Sequence, residues 1–351
     1  MTGSQLAVPW IYTFHFFTST TKFCGVARGH TLSNFVSTNT PMLQYVKKKI
    51  VQQLWQAYQK KLPEVSAIQK ALLTCYNDRL AWDHFAVIDL PGPQSGVQVL
   101  TELFLFLDYV VKGEDYLINK QNHFVWLADS LSETQRVDKA LPQVVVADFR
   151  REALAPAVRK IVDYYASFSK PVKAQYLRCL KERIFHQDRA AVLALIAYVV
   201  HYLNRRDWPL PTLKEFAIVK ESNELLAWVL VMGRQVNHFA WAVHTSNQFV
   251  DLESFNYFVT ETLAINLNKR GGVLRGQAAQ GIQQSATQPV QKIITLTDGI
   301  VFLPDRFIEF VWRYPIHADY VETQKLRLWK HYFNGFIADN ADSVVESLYL
   351  N

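Results

Sequence analysis

Cysteine is scarce. Cys24, Cys75 and Cys179 are the only three in 351 residues, too far apart for any CxxC spacing. That argues against a disulfide framework or a thiolate zinc site and makes a reducing compartment the default. Long apolar runs are missing too. The longest, Ala190–Val200, falls short of the about 20 residues a bilayer needs, so it reads as a buried helix and no membrane partner is expected. No GxSxG elbow, P-loop, GxGxxG turn or Cys-His nucleophile signature occurs. Basic helices, zinc-finger spacings and aromatic RNA-binding signatures are also lacking, so nucleic acid is not expected as a partner despite a net charge of +6. Acidic residues are absent before Glu64, and residues 1–40 are rich in Ser and Thr. This resembles an organelle transit peptide but lacks the usual run of arginines. The cytoplasm is the default location and an organelle the alternative.

What is present is core. Half of the residues are hydrophobic, 13% are aromatic and only 19% are charged, enough for one large domain or two coupled ones. Residues 1–35 show no clear period and form an N-terminal extension. Residues 36–351 read as a single catalytic domain. Helical periodicity runs from about Thr40 to Tyr76 with a break at Pro63. The first module, about 80–148, opens with a strand holding His84, turns at Pro91-Gly92-Pro93, and continues with a helix whose Leu100, Leu103, Phe104 and Leu107 share one face. Strands are expected near 115–118, 123–128 and 143–147. A helical insert, about 150–230, follows. The second module, about 234–315, repeats the order: a strand with His238, a helix from about Asp251 to Leu267 with Asp251 as N-cap, then strands near 291–297, 300–303 and 307–314. A Gly/Gln-rich loop at about 270–290 separates that helix from those strands, and Asp298-Gly299 is a hairpin signal. A helical tail, 316–351, closes the chain. The fold class is α+β: two β-α-β-β-β modules whose sheets pair around a cavity, with a helical insert and N-terminal helices.

The two modules open alike, with Asp83-His84-Phe85-Ala86-Val87 in one and Asn237-His238-Phe239-Ala240 in the other. Strand alternation puts His84, Ala86 and Ile88 on one face, His238 and Ala240 on another, and Phe307, Glu309, Val311 and Arg313 on a third. The alanines leave room, while Phe85, Val87, Phe239, Trp241, Phe310 and Trp312 suit packing against helices. Two histidines and a carboxylate on open strand faces are the donor set of a 2-His-1-carboxylate site, which iron(II) or zinc could occupy. His244 lies roughly 20 Å along an extended strand from His238, too far to share an ion.

Several stretches together resemble the 2-oxoadipate dioxygenase/decarboxylase (hydroxyglutarate synthase) family, a divergent relative of the vicinal-oxygen-chelate enzymes. They are Trp82-Asp83-His84-Phe85-Ala86, Val236-Asn237-His238-Phe239, Gly281-Ile282-Gln283-Gln284-Ser285-Ala286-Thr287, Asp298-Gly299, the run Phe307 to Tyr314, Gly335 to Asp342, and Glu346-Ser347-Leu348-Tyr349. The resemblance runs from about residue 40 to the C-terminus. It implies Fe(2+) held by His84, His238 and Glu309, and a 2-oxo acid and O2 as partners. Oxidative decarboxylation with hydroxylation follows, of the 2-oxoadipate to 2-hydroxyglutarate type known from lysine catabolism. Gln284, Ser285 and Arg313 are candidate substrate contacts. The family pattern places an arginine four residues after the first metal histidine; here that position is Ile88. Either another cation such as Arg313 or Arg275 replaces it, or the substrate has an apolar tail, or the site is a non-catalytic or altered binding site for metal or a small acid.

Overall fold

The computed structural model describes residues 41–270, 272–317 and 327–338. The N-terminal extension lies outside them, as do the end of the tail and the transit-peptide reading. Two helices come first, α1 (Pro41–Gln59) and α2 (Pro63–Tyr76), with Pro63 starting the second, where the missing amide hydrogen costs nothing. The first module is then β1 (Ala81–Ile88), α3 (Val97–Phe106), β2 (Tyr109–Leu117), β3 (Asn122–Asp129) and β4 (Gln143–Phe149). The helical insert holds α4 (Pro156–Ala166), α5 (Ala174–Phe185), α6 (Arg189–Tyr202), α7 (Leu213–Ser222) and α8 (Glu224–Met232). Asp188 caps α6 by accepting from the Ala190 and Ala191 amides. No helix among the described residues is long and apolar enough to cross a membrane.

The second module is built from different strands than the sequence suggests. It comprises β5 (Gln235–Ala242), α9 (Leu252–Tyr257), β6 (Arg275–Gln277), β7 (Ile282–Ala286) and, further on, β10 (Ile308–Arg313). The segment read as a Gly/Gln-rich loop therefore supplies two sheet strands. The predicted strands near 291–297 and 300–303 are β8 (Val290–Thr295) and β9 (Ile300–Arg306), which pair only with each other. They form a hairpin inserted between the third and fourth strands of the module. Asp251 caps α9 as expected, through a reciprocal bond with Ser254, but the α-helix gives way to a π turn at Phe258–Thr262 well before Leu267. Of the tail expected to be helical, 316–351, the described residues 327–338 hold a short 3-10 turn, Trp329–His331, and the remainder from 339 lies outside the described residues.

All eight module strands join in one sheet, β2-β3-β4-β1-β5-β10-β7-β6. The order is a palindrome of modules, with β1 and β5 antiparallel at the centre and each parallel to the last strand of its own module. On one face of the sheet Phe85, Phe239, Trp241 and Phe310 pack against helices. Trp55 of α1 meets Phe239 and Trp241 with ring centroids 5.1 and 5.7 Å apart. This is the larger core, and burial of its aromatic and aliphatic area favours folding. The other face carries the cavity, bordered by a second core from α4, α7, α8 and the hairpin. Arg234 ties the parts together: its guanidinium donates to Asp89 at 2.7 Å, to Asp207 of the insert at 3.2 Å and to the Tyr202 carbonyl.

Candidate metal centre

The central antiparallel pair sets the site. Ala86 lies opposite His238 and His84 opposite Ala240, so each histidine has an alanine as its cross-strand neighbour and space above it. On β10, Glu309 lies beside Ala240. The outcome is convergence: His84 Nε2 is 3.3 Å from His238 Nε2 and 3.5 Å from a Glu309 carboxylate oxygen, and His238 Nε2 is 3.2 Å from that same Oε2. All three residues are buried.

Hydrogen bonds on the far side of each ligand fix which atoms face one another. His84 Nδ1 is 2.8 Å from Asp83 Oδ1, and His238 Nδ1 is 2.8 Å from Asn237 Oδ1. If each Nδ1 carries the proton and donates, both Nε2 atoms present lone pairs. Gln284 Nε2 donates to Glu309 Oε1 at 2.7 Å, while Glu309 Oε2 has no hydrogen-bond partner. Three electron-rich atoms thus face a common centre in a dry site, an arrangement that repels itself without a cation. Their separations suit ligands about 2.0–2.1 Å from one ion. These are the residues that could hold a metal, and they are the one such His/Cys/Asp/Glu group among the described residues.

Electrostatics carries the same message. Burial lowers His84, but Glu309 and Asp83 outweigh it and raise the imidazole to about 9. His238 is pushed down to about 4 by burial, which Glu309 only partly offsets. For Glu309 burial works upward, yet the two histidines hold it below the usual carboxylate range. The Glu309 carboxylate therefore favours positive charge at the point where the three ligand atoms meet.

The pseudo-symmetry of the modules shows why three ligands meet here. The turn that relates His84 to His238 relates Ala86 to Ala240, and so relates Val145, the β4 neighbour of Ala86, to Glu309. The fourth corner is apolar. Val145 lines the cavity together with Ala86, Ile88, Leu117, Phe124, Ala147 and Phe336. The polar lining is His84, Asn122, Asn237, His238, Gln284 and Glu309. The free space is about 50 Å³.

Of the substrate contacts expected from sequence, Gln284 and Ile88 line this cavity and two residues do not. Ser285 follows Gln284 on one strand, so it points to the opposite face, where its hydroxyl bonds Asn256 Oδ1 at 2.7 Å. Arg313 lies beyond the end of the cavity, fully buried. It forms a two-pronged pair with Asp83 at 2.7 and 2.8 Å and donates to the carbonyls of Phe333 and Gly335. It supports the residue that supports His84. Arg275 lies on β6 and donates to the Arg270 carbonyl. Sequence reasoning did not single out Asn237, Asn122 or Phe336 as lining residues. The parallel between Asp83-His84 and Asn237-His238 signalled the first of these; nothing local signalled the other two.

Paired β-α-β-β-β modules with a buried His-His-Glu set on one face define a fold of the vicinal-oxygen-chelate type. A protein from Ralstonia eutropha assigned to the glyoxalase superfamily superposes with a TM-score of 0.62 at 16% identity, covering 78% of this chain and 84% of its own. The family model described as 2-oxoadipate dioxygenase/decarboxylase matches residues 48–302, and the chain belongs to that enzyme family. The rice (Oryza sativa subsp. japonica) protein named 2-oxoadipate dioxygenase/decarboxylase, chloroplastic/amyloplastic, is 22% identical over 306 residues, 86% of this chain and 78% of its own length. The crystal structure of hydroxyglutarate synthase from Oryza sativa, in complex with 2-oxoadipate, superposes with a TM-score of 0.69 at 21% identity, covering 93% of this chain and 98% of that one.

Proposed function

We propose that His84, His238 and Glu309 hold iron(II) and that the protein oxidatively decarboxylates and hydroxylates a 2-oxo acid with O2. The observation that carries this reading is the convergence of three unshared ligand atoms, each oriented by its own hydrogen bond, in a family named for that reaction. In the reaction the bond between the carboxylate and keto carbons breaks and CO2 leaves. One oxygen atom completes the new carboxylate and the other becomes a hydroxyl on the adjacent carbon. Cleavage and hydroxylation each yield two electrons, which together reduce one O2.

A bound iron(II) ion with three protein ligands would supply open coordination positions for the acid and for oxygen. The chain's own residues do the rest. Asp83 and Asn237 hold the two imidazoles in one tautomer and orientation. Gln284 occupies one carboxylate oxygen of Glu309 and leaves the other for the metal. Asn237 Nδ2, which has no partner, donates to a substrate oxygen. Phe336, packed on the edge of His84 with centroids 4.9 Å apart, keeps water from the site.

Anaerobic loading followed by metal analysis and oxygen-uptake assays tests the reading. The wild type binds one iron per chain and consumes O2 with a 2-oxo acid. His84→Ala and Glu309→Ala lose metal and turnover while keeping the circular-dichroism spectrum. Full iron-dependent turnover in either variant would refute the assignment.

A further inference from the structure

The family and the rice enzyme are named for 2-oxoadipate, an acid with a carboxylate at each end. One end of such a substrate would meet the metal; the other needs a cation in a buried site. Among the described residues that line this cavity there is no Lys or Arg. Away from the ligands, the walls include Ile88, Leu117, Phe124 and Ala147, each less than 5% exposed and all part of one apolar cluster, beside one neutral amide, Asn122, whose Nδ2 already donates to the Asp148 carbonyl. Ile88 is on the same strand and face as His84, four residues on, and lines the same cavity.

The buried arginines among the described residues are committed elsewhere. Arg313 is clamped on Asp83, and Arg234 on Asp89 and Asp207. Arg306 donates to Gln235 Oε1 at 2.9 Å, pairs with Asp305 at 3.3 Å and stacks over Tyr58. Arg275 is anchored to the Arg270 carbonyl. None lines the cavity. Moving one of them in would break a buried pair to make another.

We infer that the substrate is a 2-oxo acid with a short apolar tail and no distal carboxylate, and that Ile88 selects it. This rests on the 2-oxo acid reading above. The tail lies against Ile88, Leu117, Phe124 and Ala147, and the small free volume limits its length. In the reaction the same bonds break and form, so a 2-oxo acid of six carbons gives a five-carbon 2-hydroxy acid and CO2.

The test compares two probes of equal chain length, 2-oxohexanoate and 2-oxoadipate, which differ in a methyl against a carboxylate at the far end. Calorimetric titration of anaerobic, iron(II)-loaded wild-type protein reads binding, and oxygen uptake with product analysis reads turnover. We expect 2-oxohexanoate to bind at least about 10-fold more tightly and to be the better substrate, because the unpaired distal carboxylate must be desolvated. Ile88→Arg reverses the preference toward 2-oxoadipate. The comparison of acids on the wild type stands even if that variant does not fold. Equal or tighter binding of 2-oxoadipate to the wild type overturns the inference while its turnover sustains the 2-oxo acid reading. Metal bound at one per chain with neither acid bound nor consumed overturns both.

Discussion

Asp83 sits between a ligand and an arginine, and its chemistry is legible from both sides. Burial pushes its carboxyl pKa up, but Arg313 and His84 outweigh that and hold it well below the usual range, so it remains an anion in the core. Replacing it by Asn keeps an acceptor for His84 Nδ1, as Asn237 provides for His238, but strands the Arg313 guanidinium without its counter-charge. Asp83→Asn is expected to weaken metal binding about 10- to 100-fold, the usual loss when the partner of a ligating histidine is altered. A competition titration against a chelator of known affinity reads this. It should also lower stability by about 3 kcal/mol, as breaking a buried pair does, which urea unfolding reads. An Asp83→Asn protein with unchanged metal affinity would show that a neutral acceptor serves His84 as well as the carboxylate does. The histidines themselves were readable because the repeated segments set two of them at the same place in two modules. Ser285 and Arg313 fall outside the cavity for geometric reasons: Ser285 is turned to the face opposite Gln284, where it bonds Asn256, and a shared face does not guarantee a shared cavity when that cavity is short.

At the level of elements, the local signals and the tertiary ones parted in the second module. Asp298-Gly299 between two apolar runs is a strong local hairpin, and it forms, yet it stays out of the sheet, with Ile293 and Phe302 exposed on its outer side. The segment Arg275–Ala286 has glycine and glutamine where β-branched residues favour strands. It becomes strand because β10 offers a free edge: Gln284 and Ser285 pair with Val311 and Phe310, and every residue of β7 except Gln283 is buried. No local period encodes that choice. The same holds for the segment carrying Phe336, which reaches across the first module and packs on His84 and on Trp126. Truncating Phe336 to Ala should widen the cavity. Turnover should extend to 2-oxo acids with tails one or two carbons longer, with the apparent KM for the shortest acids raised several-fold. Steady-state kinetics across a chain-length series checks this; an unaltered length profile would mean that Phe336 does not bound the tail.

Across the molecule, buried charges among the described residues join its parts, as Arg234 joins Asp89 to Asp207, and stability depends on pH through identifiable groups. Asp148, at the end of β4, faces the start of α3, where it accepts from the Val97 amide at 3.0 Å. Burial raises its pKa to about 7; the Val97 bond works against this, and the charges of Asp89 and Glu152 add to it. The folded protein therefore holds this proton more tightly than the unfolded chain, whose carboxyl titrates near 3.9. The sign follows: the stabilising contribution is complete below about pH 4 and is lost as pH rises to about 7, beyond which the ionised carboxylate is carried at a net cost. Asp148→Asn keeps an acceptor for Val97 without the charge. It is expected to unfold later than the wild type at pH 8, by about 1 kcal/mol, and the difference should close by about pH 4. Denaturant midpoints at the two pH values decide it. Because Asp89 also bonds Arg234, which joins both modules to the insert, removing that arginine should behave differently. Arg234→Met takes away a counter-charge rather than a charge, leaving the buried Asp89 without it, and is expected to cost about 3–5 kcal/mol, read by denaturant unfolding. Pairing it with Asp89→Leu should recover part of that loss, since removing both charges leaves neither uncompensated.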